Sequence, residues 1–218
     1  MKIGVMYILL NIFLVYSVND VNLKSQSFEG SIEYNLVQKN KIIRKTNHVF
    51  SEKYYGVFCL YFKMSLRLGD LVFDLENEKR MRINHSDRTI QNLGIEKHLG
   101  GKVKSEIIRT DQFIEILGYK CRKYILHKYS SEFYRTTISW IWVAEKLTFE
   151  KLHKIAKITD EKNSLAAIHS FSQGIPLRID FLDEKDEKRG YLEATKIEKK
   201  SILEEIFKIP EEYKIVNR

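Results

Sequence analysis

Ser27-Phe28-Glu29-Gly30-Ser31-Ile32-Glu33-Tyr34-Asn35-Leu36 is the stretch that decides the fold. Phe28, Gly30, Ile32, Tyr34 and Leu36 fall on one side of an extended chain. Ser27, Glu29, Ser31, Glu33 and Asn35 fall on the other. Side chains alternate between the faces of a strand, so period-two alternation over this length predicts a half-buried strand with one wet face.

Working outward, similar segments follow at His48 to Phe62, Lys79 to Ile83, Tyr119 to Lys128, Thr137 to Val143, Leu177 to Leu182 and Tyr191 to Ile197. Turn-prone stretches separate them, among them Asn84-His85-Ser86-Asp87, Gly100-Gly101-Lys102 and Asp183 to Gly190. Many short strands at such intervals point to an antiparallel meander and not to βαβ units. Val57 to Phe62 and Ile138 to Val143 are apolar on both faces, so each must be covered on both sides by a helix, a second sheet layer or a ligand cavity. A helix is predicted over Thr148 to Ile158. There Phe149, Leu152, Ile155 and Ala156 recur at three- and four-residue intervals, Lys151, His153, Lys154 and Lys157 take the other face, and Thr148 can cap the N-terminus. Its expected place is over a curved sheet.

The N-terminus reads differently. Met1-Lys2 is a positive start, and Ile3 to Val18 is almost wholly apolar before Asn19-Asp20. A charged start and a short apolar run are the pattern of a secretory signal. The run is shorter than the roughly 20 apolar residues of a spanning helix. Residues 1–25 are therefore expected to be a signal peptide, cleaved after Ser17 or Ser25, and residues 26–218 a single β-rich domain. With 218 residues, 44% hydrophobic and 30% charged, the chain has the composition of a globular protein able to bury a core unaided. Twelve Phe, twelve Tyr and two Trp suit pleated strands. A net charge of +8 raises nucleic acid or an anionic surface as partners, but the basic clusters at Lys39 to Lys45 and Lys196 to Lys200 are short and interrupted. No nucleic-acid motif accompanies them; scattered lysines on solvated faces account for the charge.

Chemistry is sparse. The sequence has no Gly-x-Ser-x-Gly elbow, no Ser-x-x-Lys and no His-Glu-x-x-His, and its six histidines are never paired at metal-ligand spacing. No catalytic residues, metal or cofactor are expected. Cys59 and Cys121 are the only cysteines; an oxidising compartment permits them to pair as a disulfide, and each can equally serve as a small buried hydrophobe. Trp140 and Trp142, two residues apart, project from one strand face, where they either line a ligand cavity or form ordinary core.

Six further segments carry a resemblance: Phe28-Glu29-Gly30-Ser31-Ile32-Glu33-Tyr34, Lys79-Arg80-Met81-Arg82-Ile83, Ile116-Leu117-Gly118-Tyr119-Lys120-Cys121-Arg122-Lys123-Tyr124, Trp142-Val143-Ala144-Glu145-Lys146-Leu147, Gly174-Ile175-Pro176-Leu177-Arg178-Ile179 and Phe207-Lys208-Ile209-Pro210-Glu211-Glu212-Tyr213. In this order they resemble a family of uncharacterised exported bacterial proteins, grouped as a domain of unknown function and related to the lipoprotein carriers LolA and LolB. The resemblance implies an α+β, mainly β fold: a strongly curved antiparallel sheet, an unclosed LolA-like half-barrel, with helices covering the concave face. It also implies a face that holds acyl chains, although no lipid-binding residue of the carriers matches onto this chain.

The expected function is that of a non-enzymatic periplasmic, or otherwise exported, protein. It would bind a lipid or lipoprotein acyl chain in the half-barrel through Phe58, Leu60, Phe62, Trp140 and Trp142. A hydrophobic ligand or a lipoprotein is the expected partner, with peripheral envelope association, no nucleic acid and a monomeric state. The alternative is a cell-envelope interaction module with a filled core, docking a protein on its sheet edge or convex face.

Overall fold

A computed structural model describes residues 27–62, 69–93, 103–130, 135–159, 174–183 and 187–216. Among these residues twelve strands form one open sheet: β1 (Gly30–Gln38), β2 (Lys41–Phe50), β3 (Tyr54–Phe62), β4 (Asp70–Asp74), β5 (Lys79–Asn84), β6 (Thr89–Leu93), β7 (Val103–Ile116), β8 (Tyr119–Ser130), β9 (Arg135–Thr148), β10 (Gly174–Leu182), β11 (Lys188–Lys199) and β12 (Lys214–Val216). Their order across the sheet is β12-β6-β5-β4-β3-β2-β1-β11-β10-β9-β8-β7. Two meanders, β1 to β6 and β7 to β11, therefore join where β1 pairs antiparallel with β11. Strand β12 adds itself to β6 in parallel.

Local chemistry explains the hairpins. Lys39 and Asn40 both take positive φ (47° and 57°), the two-residue turn whose twist matches its flanking strands. Leu117 (φ 51°) and Gly118 (φ 79°) do the same between β7 and β8. The segment expected to run unbroken from His48 to Phe62 is two strands. Ser51 breaks it: its amide donates to the Tyr54 carbonyl (2.9 Å), and its hydroxyl oxygen accepts from the Tyr54 amide (3.0 Å).

The expected α+β class is corrected to nearly all-β. Among the described residues the only α-helix is α1 (Leu152–Thr159), eight residues long, and no set of helices covers a face. The physical reason lies in the segments between the legible strands: Lys41 to Asn47, Asp70 to Asp74, Thr89 to Leu93 and Val103 to Ile116 are further strands. The helix also begins four residues after Thr148, which instead ends β9 and accepts the Phe28 amide on its carbonyl. Leu152 and Ile155 of α1 pack into the main core with Phe28, Ile32, Tyr34, Phe50, Tyr55, Phe73, Leu75, Cys121, Leu147 and Leu177. Two smaller clusters gather Tyr124, Leu126, Ile141, Val143 and Ile179, and Val49, Val72, Ile83 and Phe207.

Candidate functional site

The most unusual place in the core lies where β1, β2 and β3 run side by side. Thr46 opposes Tyr34, His48 opposes Ile32, and Phe50 opposes Gly30 and Tyr55. Directly opposed residues share a face, so Tyr34, Thr46, His48, Phe50 and Tyr55 stand together. The rings make a continuous chain. Tyr34 lies 4.5 Å from His48, Phe50 5.0 Å from Tyr55 and 5.2 Å from Phe149, and Tyr55 5.3 Å from Phe73, centroid to centroid.

Polar atoms within this chain are matched. His48 Nδ1 and the Tyr55 hydroxyl are 2.7 Å apart, and the Tyr34 hydroxyl donates to the Pro176 carbonyl at 2.8 Å. Burial, followed by the nearby Arg44 charge, lowers the His48 pKa to about 3, so the ring is neutral. Burial also raises both tyrosines, with Tyr55 and Cys121 adding to the shift of Tyr34. Around these groups is a cavity of about 30 Å³, walled by Tyr34, His48, Phe50, Tyr55, Leu192 and residues of β10, with Leu152 of α1 on one side. That is room for a water molecule or two. The helix wall is tied across the sheet: Lys151 Nζ donates to the Glu52 carbonyl (2.5 Å) and Lys154 Nζ to the Leu75 carbonyl (3.0 Å).

Trp140 and Trp142 do share a face; most of their directly opposed neighbours on it are charged, and Trp142 also packs against the main core. Lys123 opposes Trp142, Arg178 opposes Trp142 from the other side, and Asp180 opposes Trp140. The Lys123 ammonium sits 3.6 Å from the centre of the Trp140 ring and 5.7 Å from that of Trp142, and donates to Gln112 Oε1 at 3.1 Å. Trp142 Nε1 donates to Asp180 Oδ2 (3.0 Å), while Arg178 (3.1 Å) and Lys188 (2.5 Å) reach Asp180 Oδ1. Tyr191 stacks beneath both cations, 4.9 Å from Arg178 and 4.2 Å from Lys188. Burial lowers the Lys123 pKa against the pull of Asp180. Burial would raise Asp180, but its hydrogen bonds to Lys188 and Trp142 and the Arg178 charge hold it below the usual carboxylate range. An ammonium over indole is an attractive contact; the two tryptophans therefore stand in a cation–aromatic network.

On the opposite face of β8 and β9, Glu145 Oε1 accepts from Tyr124 (2.7 Å), Arg122 (3.0 Å) and Arg109 (3.2 Å). Phe58 is drawn elsewhere, its ring 6.1 Å from Phe207 of the 3₁₀ turn Glu204–Phe207. The backbones of Leu60 and Phe62 lie in β3, and their side chains, like that of Cys59, fall outside the described residues. Cys121 is a free thiol, fully buried in the main core and pushed up to about 12 by burial. His85 pairs with Asp70 (2.7 Å) and the Tyr213 hydroxyl (2.9 Å), joining the β5–β6 turn to the C-terminal segment. Among the described residues no group of three or more His, Cys, Asp or Glu side chains could hold a metal ion. The predicted signal peptide lies outside the described residues. So of the residues singled out for a ligand, Trp140 and Trp142 come together and Phe58 lies apart. The Tyr34–His48–Tyr55 chain escapes sequence reasoning, although Thr46, His48 and Phe50 alternate on one strand.

The fold thus defines a class: an open, almost purely antiparallel sheet with a polar–aromatic chain buried in one core. Residues 104–213 match the family described as a domain of unknown function, DUF4412, and the chain belongs to it. A crystal structure of an uncharacterised conserved protein from Thermus thermophilus is similar in fold, with a TM-score of 0.51 and 13% identity over 89% of this chain and 93% of that one. A Vibrio parahaemolyticus domain assigned to outer membrane lipoprotein sorting aligns over 81% of this chain and 86% of its own, at 11% identity and a TM-score of 0.23, too slight a likeness to bear on function. No curated protein matches the chain in sequence.

Proposed function

We propose that this is an exported, non-enzymatic protein that takes up a hydrophobic ligand beside the buried Tyr34–His48–Tyr55 chain. One observation carries the reading: an apolar, aromatic-walled cavity with a few convergent polar groups, closed on one side by a short helix and not by a strand. Ligand pockets have this composition, mostly apolar with a handful of placed polar atoms. At about 30 Å³ the cavity is far below the roughly 300 Å³ or more of a drug-sized ligand site, so uptake requires α1 to swing off Leu192 and Ile175. Its tethers are suited to that. The helix is only eight residues long, with Leu152 and Ile155 packed into the core and two lysine-to-carbonyl bonds at its edge, so few contacts must be released for it to move. The charged start and apolar run of residues 1–18 support the exported part of this reading.

The test is native mass spectrometry of the mature protein purified from the envelope, with lipid extraction, followed by titration with a hydrophobic fluorescent probe. A discrete extra mass that extracts as lipid, or saturable probe uptake, supports the reading; a clean apo mass and no uptake overturn it. The small volume of the cavity favours a second reading, an interaction module with a filled core that docks a protein through the β7 edge, which no other described strand pairs. A protein partner that co-purifies without bound lipid, and is lost when proline replaces Ile107, supports that one.

A further inference from the structure

The face that carries His48 also carries two groups that an apolar ligand alone does not need. Arg44, Thr46 and His48 alternate along β2, so all three side chains project to the same side of the sheet. Arg44 is close enough to His48 for its charge to act on the imidazole. Thr46 is 4% exposed, and its hydroxyl oxygen is fully buried with no hydrogen-bond partner among the described residues. Buried polar groups are almost always paired, and an exception calls for an explanation, which the polar head of a bound ligand would supply. A threonine hydroxyl can donate to an anion's oxygen, and a guanidinium offers the planar fork that fits a carboxylate or phosphate. Tyr34, directly across from Thr46, leads from this polar end into the aromatic cavity.

We propose that the ligand is an anionic amphiphile, its carboxylate or phosphate held by Arg44 and Thr46 and its aliphatic chain laid along Tyr34 and Phe50 into the cavity beneath α1. This rests on the ligand-binding reading above and names the chemistry of the head group. A neutral ligand of the same chain length can offer these groups at most neutral hydrogen bonds and forgoes the bidentate charge pairing with the guanidinium. The site therefore discriminates by charge at one end and by apolar area at the other.

Three probes of equal chain length test it on the full mature protein by calorimetry: hexadecanoic acid, hexadecanol and a lysophosphatidic acid with a sixteen-carbon chain. The wild type is expected to bind at least one of the acids about tenfold or more tighter than the alcohol, and the tighter acid identifies whether the source is a free fatty acid or a lipid phosphate. Thr46→Val, nearly isosteric, and Arg44→Gln should each weaken that acid by several-fold more than they weaken the alcohol, narrowing the gap between the two. Circular dichroism of both variants checks that the sheet is intact, and Thr46→Val alone suffices should Arg44→Gln fail to fold. Equal affinity for acids and alcohol in the wild type overturns the head-group assignment while ligand binding stands. Acid preference that survives both substitutions overturns it too. Failure of all three probes to bind removes the ligand-binding reading itself.

Discussion

His48 offers a direct measurement of how much the buried polar chain contributes to the fold. Its ordinary pKa of 6.5 falls to about 3 in the folded protein, mainly through burial and secondarily through Arg44. The other groups facing it are the Tyr55 hydroxyl at 2.7 Å and the Tyr34 ring, both neutral across the acid range. The sign follows from linkage. Below pH 6.5 the unfolded chain binds a proton that the folded chain refuses until about pH 3, so stability is full above 6.5 and is lost as pH falls toward 3. From pH 7 to pH 4 the difference is about 2.5 pH units, or about 3 kcal/mol. Carboxylates held low by partners, Asp180 and Glu145 among them, lose stability over the same range, so the wild-type loss alone does not isolate the histidine. The double variant His48→Phe, Tyr55→Phe removes both partners and leaves no orphaned polar atom, an exchange that can be nearly neutral at pH 7. Urea unfolding at both pH values should then show the variant losing about 3 kcal/mol less than the wild type. Equal losses in the two proteins would refute the reasoning, because His48 would then titrate alike folded and unfolded.

Three further outcomes follow from individual positions. In a Cys59→Ser background, Cys121 should resist an aromatic disulfide reagent at pH 8 until urea unfolds the chain, since its thiol is buried and pushed up to about 12; rapid labelling of the native protein would contradict this. Gly30→Ala should cost about 2 kcal/mol or more in thermal unfolding, because Gly30 holds φ +147° and an added Cβ would stand 2.0 Å from the Glu198 carbonyl oxygen; an unchanged melting temperature would show that the strand shifts freely. Asp180→Leu should destabilise by roughly 3 kcal/mol, as Arg178 and the Trp142 indole lose a buried acceptor, and adding Arg178→Met should recover part of that loss if the pair is the cause.

What was legible in the sequence were the strands with a clean two-face contrast. β1 alternates Ile32 and Tyr34 against Glu33 and Asn35, and the structure buries the first pair more deeply. The illegible strands lack that contrast for physical reasons. β7 is an edge strand, with Ser105, Glu106, Ile108 and Arg109 all exposed, so neither face is marked. β2 begins with exposed Lys41 and Ile42 and reveals its buried face only from Thr46 onward. Helix was over-expected because covering both sides of an apolar strand does not require helices. Here Ile141 packs with Tyr124 and Ile179 on one face, while Trp142 meets Lys123 and Asp180 on the other. The site was hidden for another reason. Tyr34, His48, Tyr55 and Pro176 meet only because β1 pairs with β2 on one side and β11 on the other, and spacing along the chain does not contain that closure.

The two aromatic faces make opposite demands, and this gives a way to separate them. Lys123, 8% exposed, already covers Trp140, and Asp180, 4% exposed, already takes the Trp142 N–H. An alkyl chain laid there would have to displace an ammonium from an indole and leave a buried carboxylate with fewer partners, a cost that apolar contact must first offset. On the His48 face the Tyr34, His48 and Tyr55 polar atoms are paired within the protein wall, and a ligand chain displaces the apolar packing of α1 without breaking those bonds. Trp142→Phe should therefore cost about 1 kcal/mol in stability, through its lost hydrogen bond, and leave hydrophobic-probe affinity unchanged. Leu152→Trp should instead abolish uptake by filling the cavity from α1, with the fold intact by circular dichroism. If Trp142→Phe weakens the probe about tenfold and Leu152→Trp does nothing, the ligand lies on the tryptophan face, and the cation network there is what opens.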